Sequence, residues 1–272
     1  AICRAVKRAV PQMHGHAFSP LEVQQGAATL HLSVPEFLAA LKEAGLGTLP
    51  GTAAEILDDR IRRVICPDKL DTREWLGVVA AAHRLGLRST ATIMFGHVDD
   101  TASWATHLLA VRDLQDETGG FTEFVPLPFV PMEAPIFAKG RARRGPTLRE
   151  AVLMHAVARL VLHPLIPNIQ TSWVKLGAAG VKLCLESGAN DLGGTLMNES
   201  ISRAAGTQHG QELSPAGMQA IIRGLGRRPE QRDTLDRPVS AERQAAAAQA
   251  LELLPVVQTA PQDARALSRL AV

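Results

Sequence analysis

His14-Gly15-His16 sets two imidazoles two residues apart, a spacing that puts both on one face of a β-strand. Two imidazoles on one face can chelate one ion, and with His97 as a third ligand they would form the metal centre of a barrel hydrolase. No Asp-x-His or His-x-x-x-Glu partner follows, and two histidines that hydrogen-bond a substrate or the backbone satisfy the same spacing. Pro50-Gly51-Thr52-Ala53-Ala54-Glu55 joins a tight turn to a carboxylate. It reads in two ways: Thr52 caps a helix with Glu55 at its N3 position, or Glu55 faces a bound polar ligand. Glu123, Gln170 with Ser172, and Asn190-Asp191 ahead of Gly193-Gly194 complete the polar candidates. The glycines from 188 to 194 would let backbone N–H groups approach an anion, although glycine turns beside strands are common. Phe121, Phe124 and Phe129 read as core. Lys139 to Arg144 reads as a solvated loop, with a lid as the alternative.

These residues need a scaffold, and its helix starts are legible. Ser19-Pro20-Leu21-Glu22, Ser33-Val34-Pro35-Glu36, Asp71-Thr72-Arg73-Glu74 and Thr147-Leu148-Arg149-Glu150 are four capping boxes, each ahead of an apolar helical face. Thr101 can cap a further helix that ends at Gly119-Gly120, and Ser214-Pro215 can start another. Between them lie strand-like runs at 13–18, 46–49, 89–95, 122–129, 169–174 and 192–196. Six strands alternating with helices predict an α/β fold with a parallel sheet. No G-x-G-x-x-G stands in a first βα turn, so a (β/α) TIM-type barrel is preferred over a doubly wound sheet. Six strands make it incomplete, about six of eight βα units. The expected organisation is a partial barrel over residues 1–226 and a partly disordered, peripheral extension over 227–272. In a barrel, chemistry sits at the C-terminal strand ends and in the loops that follow, and the polar candidates above fall at such positions.

The chain has 272 residues, 46% hydrophobic and 21% charged, a balance that excludes wholesale disorder. Lys+Arg 29 against Asp+Glu 27 leaves a net charge of +2, which speaks against a dedicated nucleic-acid protein. No apolar run approaches the roughly 20 residues of a membrane span. Cys3, Cys66 and Cys184 are too dispersed for a zinc motif and too few for a disulfide framework. They read as buried small side chains in a reducing cytoplasm.

Several segments, taken together, resemble one family. Pro50 to Asp59, PGTAAEILDD, is similar to a segment of the radical S-adenosylmethionine enzymes of deazaflavin and futalosine-menaquinone synthesis, and His16-Ala17-Phe18-Ser19-Pro20 matches their strand-to-helix turn. Phe121 to Phe129 (FTEFVPLPF), Gln170 to Gly177 (QTSWVKLG) and Gly188 to Thr195 (GANDLGGT) resemble the tyrosine-utilising, CofH-type half of FO synthase. The resemblance runs from about residue 3 to residue 226. Gly15 stands where the family usually has Val, and Pro131 where it often has His.

The resemblance implies a radical transferase of coenzyme F-420 biosynthesis. A [4Fe–4S] cluster would cleave S-adenosylmethionine, and the radical would act on L-tyrosine. A 4-hydroxybenzyl-type fragment would then join 5-amino-6-(D-ribitylamino)uracil, with the ring-closing, CofG-type half of FO synthase as partner. Nucleic acid and membrane are not expected partners. The resemblance further implies that Thr52, Glu55 and His97 face the cofactor, that Glu123, Gln170 and Asn190 act at the reacting groups, and that His14, His16, Ser172 and Asp191 contact substrate. The family's C-x-x-x-C-x-x-C cluster motif has no counterpart among Cys3, Cys66 and Cys184, so no metal ligand is expected here. The implied state is a fragment that lacks the cluster segment and radical activity, with open strand edges that favour association.

Overall fold

A computed structural model describes residues 1–196, 199–210 and 212–249. Helices and strands alternate along the chain: α1 (Ile2–Ala9), α2 (Pro20–Thr29), α3 (Val34–Glu43), β1 (Thr48–Leu49), α4 (Asp59–Ile65), α5 (Thr72–Arg84), β2 (Arg88–Phe95), α6 (Thr101–Thr118) and β3 (Phe121–Pro128). There follow α7 (Pro135–Ala138), α8 (Leu148–Leu162), α9 (Trp173–Glu186), α10 (Ile201–Ala204), α11 (Pro215–Arg223) and α12 (Ala241–Ala248). All four expected capping boxes form, each with the Ser, Thr or Asp side chain accepting from the N3 amide while the N3 glutamate accepts from the cap's own N–H. The cap of α6 is Asp100 rather than Thr101, because Asp100 Oδ1 takes the Ser103 amide at 2.8 Å.

The three strands form one parallel sheet in the order β1-β2-β3. An extra residue on β3 shifts the register between Ser89–Phe121 and Ala91–Phe124. Isolated parallel bridges extend this order on both sides, His16 to Thr48, Phe124 to Ile169 and Gln170 to Asp191. The chain therefore lays down six parallel strand positions in sequence order. The expected strand at 13–18 shrinks to one bridge at His16 and that at 169–174 to two at Ile169 and Gln170, while that at 192–196 gives way to one at Asp191, just ahead of it. Gly15 and the Gly193-Gly194 pair flank two of them, and α9 begins at Trp173 in the third. Among the described residues no bridge joins the Asp191 position back to that of His16, so the row is open there and a closed barrel is not formed.

Leu49, Ala91, Ile93, Phe95 and Phe124 pack beneath Trp75, Val79, Leu108, Val111, Met154 and Ala158 from the helices. Full burial of a side chain the size of Phe95 contributes about 1.5–3 kcal/mol. A second cluster joins Trp173, Val181, Cys184, Leu185 and Leu192 to Ile221 of α11. Phe121 and Phe124 are core, as expected, and Phe129 is half-buried. No described helix is long and apolar enough to cross a membrane.

Residues 50–57 correct the helix-cap reading of Thr52 and Glu55. They form a loop in which Ala53 and Glu55 take left-handed φ values of 63° and 48°, and α4 starts only at Asp59 with Asp58 as its cap. Arg62 supplies the reason. Its guanidinium, almost wholly buried, donates to the carbonyls of Ala53, Ala54, Ile56 and Leu70. Those carbonyls take a cation's donors in place of helical N–H groups, and the loop is held without a helix.

Candidate functional site

The parallel strands define two ends, and the sequence candidates divide between them. At the C-terminal end, the loop after β1 is anchored to β2. The Gly51 N–H donates to Thr90 Oγ1 at 2.8 Å, Thr92 Oγ1 donates to the Gly51 carbonyl at 2.6 Å, and the Met94 N–H donates to the Glu55 carbonyl at 2.8 Å. Gly51 has to be glycine: a Cβ there would lie 2.4 Å from the Thr90 carbonyl oxygen. Thr52 is exposed at this end, and Glu55 Oε1 pairs with Lys69 Nζ at 2.6 Å.

His97 follows β2 at the same end but is wholly committed to the fold. Its Nε2 bonds the Met94 carbonyl at 2.9 Å, Nδ1 accepts from the Val98 N–H at 2.7 Å, and its ring meets Phe129 edge-on. Burial holds it below the usual histidine pKa, opposed by neighbouring Asp99. With both nitrogens engaged it has none for a cofactor or a metal, which corrects both assignments made to it.

His14 and His16 do share a face, since both rings bond Thr48 Oγ1 at 2.8 Å. Thr48 pairs with Arg88, the first residue of β2, so the two histidines lie at the N-terminal end of the row, away from the expected mouth. Both pKa values are lowered, by burial first, with Lys7 next for His14 and His14 next for His16. Asn190 also stands at the N-terminal end. Its Oδ1 accepts from the Ile169 N–H and from Arg159 Nη2, both at 2.8 Å, which brackets two loops together.

Glu123, Gln170 and Asp191 converge, and they do so on a residue the sequence reading passed over. Arg232 donates from Nη2 to Glu123 Oε2 at 2.9 Å and from Nε to Asp191 Oδ2, with Asp236 Oδ1 at 3.3 Å. Gln170 Nε2 donates to the same Glu123 oxygen at 3.0 Å. Glu123 is the third residue of β3, so this cluster is a polar floor in the N-terminal half of the row and not part of its mouth. Burial pushes the Glu123 carboxyl up to about 7 against the pull of Arg232. Asp236 is raised for the same reason. For Arg232, burial acts to weaken the proton, and the Asp191, Glu123 and Asp236 carboxylates outweigh it and raise the pKa. The segment expected to be a peripheral extension thus sends a side chain into the sheet's interior, held there by one buried and two half-buried carboxylates. The part of that expectation that concerns residues 250–272 lies outside the described residues.

Glu123, Asp191 and Asp236 form the one group of metal-capable side chains close enough to share an ion among the described residues, and Arg232 already supplies their cation. No histidine joins them, so the three-histidine hydrolase centre is not assembled. Nor do the cysteines fit an iron–sulfur cluster. They form no group, and burial raises the Cys66 and Cys184 pKa values, which keeps both as thiols where a cluster needs thiolates. Ser172 sits half-buried at the C-terminal end, just before α9, without capping it through its side chain.

The parallel row, with its flanking helices and the loops that follow its strands, is an open α/β arrangement. In structure the chain is similar to methylornithine synthase, with a TM-score of 0.56 and 16% identity over 90% of this chain and 64% of that one. Residues 118–243 match the family described as CofH/MqnC C-terminal region, and the chain is homologous to the FO synthases. It is 56% identical over 234 residues to the FO synthase of Nocardia farcinica, covering 86% of this chain and 27% of that protein. It is 49% identical over 238 residues to the 5-amino-6-(D-ribitylamino)uracil–L-tyrosine 4-hydroxyphenyl transferase of Methanothermobacter thermautotrophicus, covering 88% of this chain and 65% of that protein. The chain therefore spans under a third of the Nocardia relative and somewhat under two thirds of the methanogen one.

Proposed function

We propose that this chain is the substrate-side part of a radical transferase of FO biosynthesis, which joins a tyrosine-derived 4-hydroxybenzyl group to 5-amino-6-(D-ribitylamino)uracil. The observation that carries this is the 49% identity, over 88% of the chain, to an enzyme whose name states both substrates. S-adenosylmethionine, bound with its [4Fe–4S] cluster, would supply the radical. The cluster is not held by these cysteines. The work of this chain is to position. Thr52 and the Glu55–Lys69 pair border the loop that the resemblance assigns to S-adenosylmethionine, and a pair of opposite charges suits its amino-acid end. Ser172 borders the neighbouring mouth loop. The Glu123–Gln170–Asp191 layer would set the depth at which substrate rests, and such positioning is what radical chemistry most needs from a protein. The product is a substrate for ring closure, the chemistry of the CofG-type half.

The complete gene product, reconstituted with iron and sulfide and given S-adenosylmethionine, L-tyrosine and the aminouracil, should form the 4-hydroxybenzyl adduct. Turnover of a futalosine-type substrate with tyrosine left intact would overturn the proposal in favour of the menaquinone branch.

A further inference from the structure

Three loops that each follow a strand position meet over the C-terminal end of the row: residues 129–134 after β3, residues 172–177 after the Gln170 bridge, and residues 199–210 after the Asp191 bridge. The Glu133 N–H donates to the Ala205 carbonyl at 3.3 Å, and Trp173 Nε1 donates to the Gly194 carbonyl at 3.0 Å. A Cβ on Gly206 would lie 2.6 Å from Met132 Cβ, and one on Gly177, whose φ is 64°, would lie 2.9 Å from the His209 ring. The loops are therefore closely seated on one another. In parallel barrels this is the end where ligands bind.

The polar groups at that junction are under-partnered. Among the described residues Lys175, half-buried in the first turn of α9, makes one hydrogen bond, from Nζ to Ser202 Oγ at 3.4 Å, although an ammonium carries three donors. Glu199 accepts from the Ser202 N–H through Oε1 at 2.8 Å, while its Oε2 is buried with no partner. Thr207 Oγ1, on the same segment, is also buried with no partner. Burial holds the Lys175 pKa below the usual lysine value, and Glu199 acts the other way without closing to an ion pair. A cation and an anion held apart beside two hydroxyls contrast with Glu55 and Lys69, which neutralise each other directly. Polar groups left this way inside a loop junction are costly unless something supplies their partners.

We infer that Lys175 and Glu199 form a recognition site for the zwitterionic head of an α-amino acid. The ligand's carboxylate accepts from Lys175 Nζ and Ser202 Oγ, and its ammonium donates to Glu199 Oε2. The site needs no reaction and no cluster. Its assignment to L-tyrosine in particular rests on the function proposed above.

Calorimetric titration of the full chain with L-tyrosine tests it, alongside tyramine, which lacks the carboxylate, and 3-(4-hydroxyphenyl)propionate, which lacks the ammonium. Lys175→Met should weaken L-tyrosine by about tenfold or more and leave tyramine unchanged. Glu199→Gln should do the same to L-tyrosine and leave the propionate unchanged. Lys175→Arg, which keeps the charge, should retain most of the affinity, and circular dichroism checks that each variant is folded. The site is overturned if both variants bind L-tyrosine as wild type does, if the losses are equal for all three ligands, or if no amino acid binds saturably. Should L-alanine bind as tightly as L-tyrosine with the same dependence on Lys175 and Glu199, the head-group site stands and the tyrosine reading falls. Adduct formation by the complete gene product, with neither variant affecting L-tyrosine affinity, would instead leave the transferase reading intact and remove this site.

Discussion

At the N-terminal end of the strand row one guanidinium meets three carboxylates, and all four side chains are at least about 70% buried. At the C-terminal end, Lys175 and Glu199 stand apart, and Glu55 and Lys69 form a single pair with Lys69 37% exposed. Both ends carry cations and carboxylates. The difference is in how completely each charge is answered, and it separates an end that holds the fold from an end free to bind something else. A buried cluster that loses its cation is left with uncompensated charge, whereas a half-exposed pair is screened by water.

Arg232→Met should give the largest effect. It strands Glu123, Asp191 and Asp236 without a cation, and unfolding in guanidinium should show a loss of about 3 kcal/mol. A loss below about 1 kcal/mol would mean that the floor contributes no more than the mouth, and the contrast would collapse.

The pH dependence of stability sharpens the same contrast. The folded-state pKa of Glu123, about 7, lies above the ordinary 4.5, so between those values the folded chain binds more protons than the unfolded one. Stability from this group is complete below pH 4.5 and falls as the pH rises to 7, by at most about 3 kcal/mol. Asp236, also raised, adds the same sign. His83 and His107, held down to about 4 and about 3 by burial, act oppositely and destabilise the fold as the pH drops below 6.5. The Glu123 contribution is therefore read as a difference. In urea unfolding from pH 4.5 to 7, Glu123→Gln should gain stability with pH more steeply than wild type. Parallel profiles for the two proteins would show that Glu123 does not hold its proton in the fold.

The smallest effect is expected at the mouth. Lys69→Met breaks the pair with Glu55 and should cost about 0.5 kcal/mol. A thermal shift equivalent to 2 kcal/mol or more would make that pair structural and blur the distinction between the two ends.

What could be read along the chain follows the range of the forces involved. A capping box spans four residues, so Ser19, Ser33, Asp71 and Thr147 announce their helices locally, and the αL glycine at Gly119 closes α6 as its position suggests. Thr52 and Glu55 show the same signature without the helix. Arg62, eight residues beyond Ala54, competes for the carbonyls that the helix would have used. The two histidines share a face because strand periodicity is local. Their placement at the N-terminal end depends on register with Thr48, 32 residues beyond His16, which periodicity does not encode.

The sequence by itself determined the four helix starts that carry capping boxes at Ser19, Ser33, Asp71 and Thr147, the alternation that makes the sheet parallel, most apolar core positions and the segments that resemble the CofH-type enzymes. All of these are written in patterns of a few residues. Only the tertiary structure decided which polar residues meet. Arg232 lies 109 residues from Glu123, and Lys175 lies 27 from Ser202. No local pattern specifies such contacts, because they form only when packed helices and strands bring remote segments together, and the burial that results is what turns ordinary charges into a floor and a mouth.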